Sequence, residues 1–131
     1  MYWYVKVLKQ YADFEGRARR KEYWIFALFN VIFGVTAIVL DTLLEISFTE
    51  SGYGPIYLLY MLAMLIPGLA VGVRRLHDVG KSGAMILVGL IPFVGGIWLL
   101  VLFLRDSEAG ENQYGPNPKE EQEEYFDTLR E

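Results

Sequence analysis

The sequence predicts an all-α polytopic membrane protein with three transmembrane helices, a short N-terminal interfacial helix and a polar C-terminal tail. Three observations predict it. Hydrophobic residues make up 53% of the 131 residues and gather in three blocks. Each block holds a charge-free run long enough to approach or exceed a bilayer's thickness. The remaining charges are segregated, with a basic head over residues 1–23 and an acidic tail over residues 105–131. A chain of this length suits one domain. That domain is a membrane unit over 1–118, followed by an acidic, flexible segment over 119–131.

The head reads MYWYVKVLKQYADFEGRARRKEYW. Trp3, Val5, Leu8 and Tyr11 approximate one helical face with Lys6 and Lys9 between them, as expected of a helix lying in the headgroup layer. Arg17, Arg20 and Lys21 then share a face at i, i+3 and i+4, running into the first block. Tyr23 and Trp24 sit where an aromatic belt is expected.

The first span runs over about 24–44, with Asp41 at the interface, the second over 56–73 and the third over 84–104. At 1.5 Å per residue, about twenty residues cross a hydrocarbon core about 30 Å thick. Buried helices of a soluble domain keep a polar face, and these blocks have none. The first span reads as a retained anchor rather than a cleaved signal.

Orientation follows lysine and arginine. The head carries six, loop 45–55 none, and loop 74–83 carries Arg74, Arg75 and Lys81. Basic loops stay in the cytoplasm, so the head and loop 74–83 are expected inside and loop 45–55 outside. A straight third crossing then puts the tail outside, in the periplasm or beyond. A re-entrant third block, suggested by Pro92, Gly89, Gly95 and Gly96, would return the tail to the cytoplasm. The straight crossing is preferred because a bare turn in lipid is costly.

Small residues let helices approach closely in lipid. Gly68 and Gly72 form a GxxxG pair, and Gly89, Gly95 and Gly96 give the third span a thin strip. The second and third spans are expected to pack there. Asn30, the one amide inside a span, lies at a depth suited to a hydrogen bond with the carbonyl of Val88, which Pro92 frees.

The run RRLHDVGKSGA, residues 74–84, is the most polar stretch between two apolar blocks. It lacks the glycine a phosphate-binding loop needs five positions before Gly80-Lys81. Ser82, His77 and Asp78 lie too close in sequence to converge as a triad. With no cysteine and one histidine, thiol catalysis, disulfides, iron–sulfur clusters and the common zinc sites are excluded. No catalytic, cofactor-binding or metal residue is assigned. The structural reading is a tight turn: Gly80 ends one helix in the left-handed region, Ser82 caps the next, and Asp78 meets Arg74, Arg75 or the head cations. Arg17, Arg20, Lys21, Arg74, Arg75, His77, Asp78 and Lys81 together make the candidate cytoplasmic contact for anionic headgroups or a partner.

Three stretches carry a family likeness: Phe14–Trp24 (FEGRARRKEYW), Arg74–Gly83 (RRLHDVGKSG) and Gly110–Pro118 (GENQYGPNP). In this order and spacing they resemble domain-of-unknown-function family 805, small bacterial inner-membrane proteins. Ala84 stands where that family usually has an aromatic residue. The resemblance implies a plasma-membrane location and several spans, and no particular activity. The functional expectation is an integral inner-membrane protein, not an enzyme. It acts through interaction with itself, with anionic lipid or with a membrane complex, and has no cofactor and no nucleic-acid partner. An oligomeric channel or transporter is the alternative; three helices are too few for a private aqueous path, and the spans lack buried ionisable residues apart from Asp41.

Overall fold

The structure, a computed structural model, describes residues 2–131 and is all-helical. In order come α1 (Tyr2–Lys9), α2 (Arg20–Leu43), α3 (Pro55–Asp78), a 3₁₀ helix (Gly83–Leu90), α4 (Val94–Leu104) and α5 (Pro118–Arg130). Helices α2 and α3 have 24 residues each, which is about 36 Å of helix and enough to cross a bilayer. They pack as an antiparallel pair, yet Leu28, Val31, Val35, Leu59 and Leu62 all face outward. A helix from a soluble core buries such residues, so these outer faces suit hydrocarbon.

Both long helices end in the same way. The N–H of Gly80 donates to the carbonyl of His77, and that of Lys81 to Leu76. The N–H of Glu45 donates to Thr42, and that of Ile46 to Asp41. Each pair of bonds requires a left-handed residue just past the helix; Gly80 supplies it at φ 78° and Glu45 at φ 57°. The expected Gly80 stop is therefore present, and Ser82 Oγ accepts from Ala84 N at 3.3 Å at the start of the 3₁₀ helix. At the far end Asp41 is fully buried and accepts from Ile56 N at 3.1 Å and Tyr57 N at 3.0 Å. A carboxylate of α2 thus satisfies the orphan amides of α3. Gly54 makes this approach possible, since a Cβ there would fall 2.6 Å from Asp41 Cγ.

The third block departs from expectation. It does not run as one straight helix. The 3₁₀ helix covers eight residues, α4 eleven, and the chain reverses between them at Ile91–Phe93. Val94 N donates to Pro92 O at 2.7 Å across Phe93, whose φ is 62° and ψ −62°. That is a γ-turn of the rare, strained hand. Its cause lies in sequence. Pro92 cannot continue the ladder, and Gly95 sits where any Cβ would collide with the carbonyl of Val88. At about 2.0 Å per residue for 3₁₀ and 1.5 Å for α, each arm is about 16 Å long, half a hydrocarbon core. Ile86 packs on Gly72 of α3 at one foot of the hairpin, and Tyr23 of α2 packs on Phe103 at the other, with ring centroids 4.6 Å apart. Both feet therefore lie at the same end of the α2–α3 pair. The straight crossing, and with it the separation of the two termini to opposite ends, is corrected: head, loop 74–83 and tail share one polar end.

Helix α1 is present but differently turned. Tyr4 and Val7 are buried, while Tyr2, Val5 and Tyr11 are exposed and Trp3 and Leu8 half-buried. Tyr4 fits against Phe26, Phe29 and Phe33 at centroid distances of 5.5, 6.0 and 5.2 Å. Docking onto this ring cluster removes aromatic surface from its surroundings on one side of α1, and the predicted Trp3–Tyr11 face yields to it. Tyr4 Oη lies 3.1 Å from Tyr60 Oη, which donates to Asn30 Oδ1 at 2.6 Å. Asn30 thus bonds to α3, not to Val88.

Asp41→Ala is expected to lower stability by about 0.5–2 kcal/mol, the cost of a lost helix cap, and Gly54→Ala to do likewise by displacing the carboxylate. Thermal unfolding in detergent checks both, with Glu50→Ala in the same loop unchanged.

Candidate functional site

Everything polar converges at the shared end. Arg17 lies between α1 and α2, and its guanidinium is buried. Nε donates to Asp78 Oδ1 at 3.0 Å, Nη1 to the carbonyls of Gly110 and Gly115 at 2.8 and 3.2 Å, and Nη2 to those of Asp78 and Glu108 at 3.2 and 2.6 Å. A guanidinium has five N–H donors in a fixed fork, and here every one has an acceptor. One side chain from the head therefore ties the end of α3 to the tail.

Asp78 is the matching hub. Besides Arg17, its carboxylate accepts from Arg75 Nη1 at 2.7 Å and Ser107 Oγ at 2.6 Å. Arg75 also turns to the carboxyl end of α4, where Nε donates to Phe103 O at 3.2 Å and Nη2 donates to Arg105 O. Trp24 Nε1 donates to Phe103 O at 3.0 Å and Arg20 Nη1 to Leu104 O at 3.1 Å. The last carbonyls of α4, which no capping glycine serves, are met by side chains of α2 and α3.

A second pair stands beside the first. Arg74 Nη1 donates to Glu22 Oε1 at 2.8 Å, and Lys6 Nζ reaches the same oxygen at 3.0 Å. Arg74 Nε donates to Asp13 O at 3.1 Å, while its Nη2 is buried without a partner. The two adjacent arginines, directly after the apolar run of α3, thus serve different partners: Arg75 takes Asp78 and Arg74 takes Glu22.

The tail closes the cluster. Glu108 N donates to Asp78 O at 2.8 Å and Asn112 Nδ2 to His77 O at 2.9 Å, satisfying carbonyls at the end of α3. His77 Nδ1 lies 2.9 Å from Gly16 O; a carbonyl only accepts, so Nδ1 carries the proton. Tyr114 stacks flat on His77, with centroids 3.9 Å apart and planes 3° apart. Asn117 Nδ2 donates to Glu108 O at 3.1 Å, and its Oδ1 accepts from Lys119 N at 3.0 Å, capping α5. Lys119 bonds Asp106, and that bond holds the Asp106 carboxyl below the usual carboxylate range.

The predicted contact residues divide accordingly. Arg17, Arg74, Arg75, His77 and Asp78 are buried and engaged with one another or with the backbone. Arg20 and Lys21 are exposed, and Lys81 is half-buried, its side chain making no hydrogen bond or ion pair among the described residues. The first five are thus an internal joint and are closed to headgroups. Among the glycines, Gly72 packs on Ile86 and Gly89 on Leu99, while Gly95 packs within the hairpin turn. Gly68 and Gly96 have nothing within 4 Å of a built Cβ; Gly68 lines an open apolar groove between α2 and α3. Sequence reasoning missed Glu22, Ser107 and Asn112 as partners. Glu22 had a signal, a lone acid after four cations in six residues. No cluster of three metal-ligating side chains forms among the described residues.

The family described as "Protein of unknown function (DUF805)" matches residues 11–116. That range contains the first two polar motifs whole and ends inside the third, in the turn that closes the node. The chain is similar to "Inner membrane protein YhaI" of Escherichia coli (strain K12), 46% identical over 119 residues, covering 91% of this chain and 97% of that protein. It is similar to "Inner membrane protein YhaH" of the same strain, at 44% identity with coverages of 91% and 98%. A third relative, "Uncharacterized protein YiiR", is 30% identical and covers 82% of this chain and 87% of its own length. No solved structure matches.

Asp78→Asn leaves two buried guanidiniums without their carboxylate and is expected to cost about 3–5 kcal/mol. Arg17→Lys keeps the charge but offers three donors instead of five, and is expected to cost about 1–3 kcal/mol through unsatisfied buried carbonyls. Asp127→Asn, in an exposed pair with Arg130, is expected to stay within about 0.5 kcal/mol. Unfolding midpoints in one detergent rank the three.

Proposed function

The chain belongs to the DUF805 family, and on that premise we propose that it is an integral inner-membrane protein whose ionic node forms a folded platform on the cytoplasmic face. It acts there by holding partners, and conducts no solute. One observation carries the orientation. All twelve lysines and arginines fall in the head, in loop 74–83 or beyond Leu104, and those three segments meet at one end of the α2–α3 pair. The far end carries Asp41, Glu45 and Glu50 and no cation. Charge asymmetry of this kind supports a basic end on the cytoplasmic side.

The interaction role has a separate support. Polar groups within the two long helices are used by the fold itself: Asp41 caps α3 and Asn30 is bonded by Tyr60. The outer faces are apolar and suit lipid, while the exposed cationic surface lies at the basic end. A surface of this kind presents binding groups to the cytoplasm and the inner leaflet.

The chain has no cysteine, so single-cysteine variants report topology directly. In intact spheroplasts an impermeant maleimide is expected to label Ser51→Cys rapidly, to reach Glu131→Cys only after lysis, and to label Phe93→Cys slowly in both. Labelling of Glu131→Cys before lysis returns the tail to the outside and defeats the platform.

A further inference from the structure

Resting on that orientation, we infer that the crevice between the first turns of α2 and the carboxyl end of α4 is a binding site for one anionic phospholipid. The crevice has a volume of about 580 Å³. Its upper wall is cationic. Arg19, just before α2, and Arg20 and Lys21 in its first turn line it, with Lys119 from the tail, against a single acid, Asp106, which Lys119 already neutralises at 3.0 Å. The lining formally carries three net positive charges. The Lys21 side chain has no hydrogen bond or ion pair among the described residues, and Arg20 uses one nitrogen on Leu104 O. Lys21 Nζ stands 5.9 Å from the ring of Trp3, which borders the neighbouring groove, and that contact leaves its charge unneutralised.

The lower wall is apolar. Trp24, Ile25 and Leu28 follow the cations along α2, one and two turns nearer the bilayer centre, and Leu104 faces them from α4. The step from cations to hydrocarbon wall takes Lys21 to Leu28, about 10 Å of helix. A soluble phosphate would meet the cations and leave that wall uncovered. A neutral lipid would cover the wall and leave the cations unpaired. A phospholipid with a net negative headgroup matches both, its phosphate at Arg20 and Lys21 and an acyl chain along Ile25 and Leu28. The site differs from the headgroup contact expected from sequence, since Arg17, Arg74 and Arg75 are sealed inside the node and take no part.

The full-length protein in neutral detergent, titrated with phosphatidylglycerol and phosphatidylcholine of matched chains, tests this by native mass spectrometry. One phosphatidylglycerol is expected to be retained in preference to phosphatidylcholine. Lys21→Gln is expected to weaken that preference about fivefold, and Lys21→Gln with Lys119→Gln further, at the usual value of a cation near a charged lipid surface. Lys9→Gln, exposed on α1 and outside the crevice, is expected to change nothing. Equal retention of the two lipids by the unaltered protein overturns the site whatever the variants do. A fall with Lys9→Gln as large as with Lys21→Gln assigns the preference to diffuse charge and also overturns it. Competition by glycerol 3-phosphate as strong as by the lipid overturns the lipid assignment in favour of a soluble anion. Failure of the cysteine topology removes the orientation itself. Equal lipid retention with correct topology removes the lipid site alone.

Discussion

The fold depends on a buried guanidinium whose donors are all engaged. Arg17 is out of contact with water, and five acceptors from three separate stretches surround it. Burying a charge is tolerable when it is paired and fully hydrogen-bonded. Here four of the acceptors are backbone carbonyls, so the requirement fixes the path of the chain as well as the identity of its side chains. The end of α3, the turn at Glu108–Gly110 and the turn at Gly115 must all lie within reach of one planar group. Removing any of these strands part of that group.

From this joint the rest of the polar end follows. Asp78 balances Arg17 and recruits Arg75, which in turn holds the carboxyl end of α4. Glu22 balances Arg74 and reaches α1 through Lys6. Three guanidiniums face two carboxylates within the buried set, and helix-end carbonyls supply the remaining negative potential. The node therefore draws on the dipoles of α3 and α4 as well as on formal charge. Hydrophobic contact does comparatively little to associate helices in lipid, which makes this polar joint, together with the ring cluster around Tyr4, the chief lock among the elements.

Much of this was legible in the sequence. The long apolar runs gave α2 and α3 because a charge-free stretch has one stable form in hydrocarbon. Gly80 and Ser82 were readable as stop and cap because their local bonding needs no distant partner. The pairing of Asp78 with Arg75 was readable from helical spacing. Its pairing with Arg17 stood among several options that only the tertiary fold resolves. The hairpin is one of two forms the sequence of the third block allows. A 21-residue apolar run supports a straight helix and a bent one about equally, and the deciding fact is that Arg75, Trp24 and Arg20 all wait at the polar end for the carbonyls of Phe103 to Arg105. Docking of α1 through Tyr4 was hidden for a related reason. The surface it meets is assembled from two helices, and periodicity within α1 does not reveal it.

The reversal at Phe93 also gives the molecule a taper. Near the polar end, a slice parallel to the bilayer cuts α2, α3, both arms of the hairpin and the flank of α1; near the far end it cuts two helices. The helical body is a wedge, broad at its basic end and slender at the other. In the orientation proposed above, such a wedge would displace unequal numbers of lipids from the two monolayers, which would couple its insertion to the packing stress and curvature of the surrounding membrane.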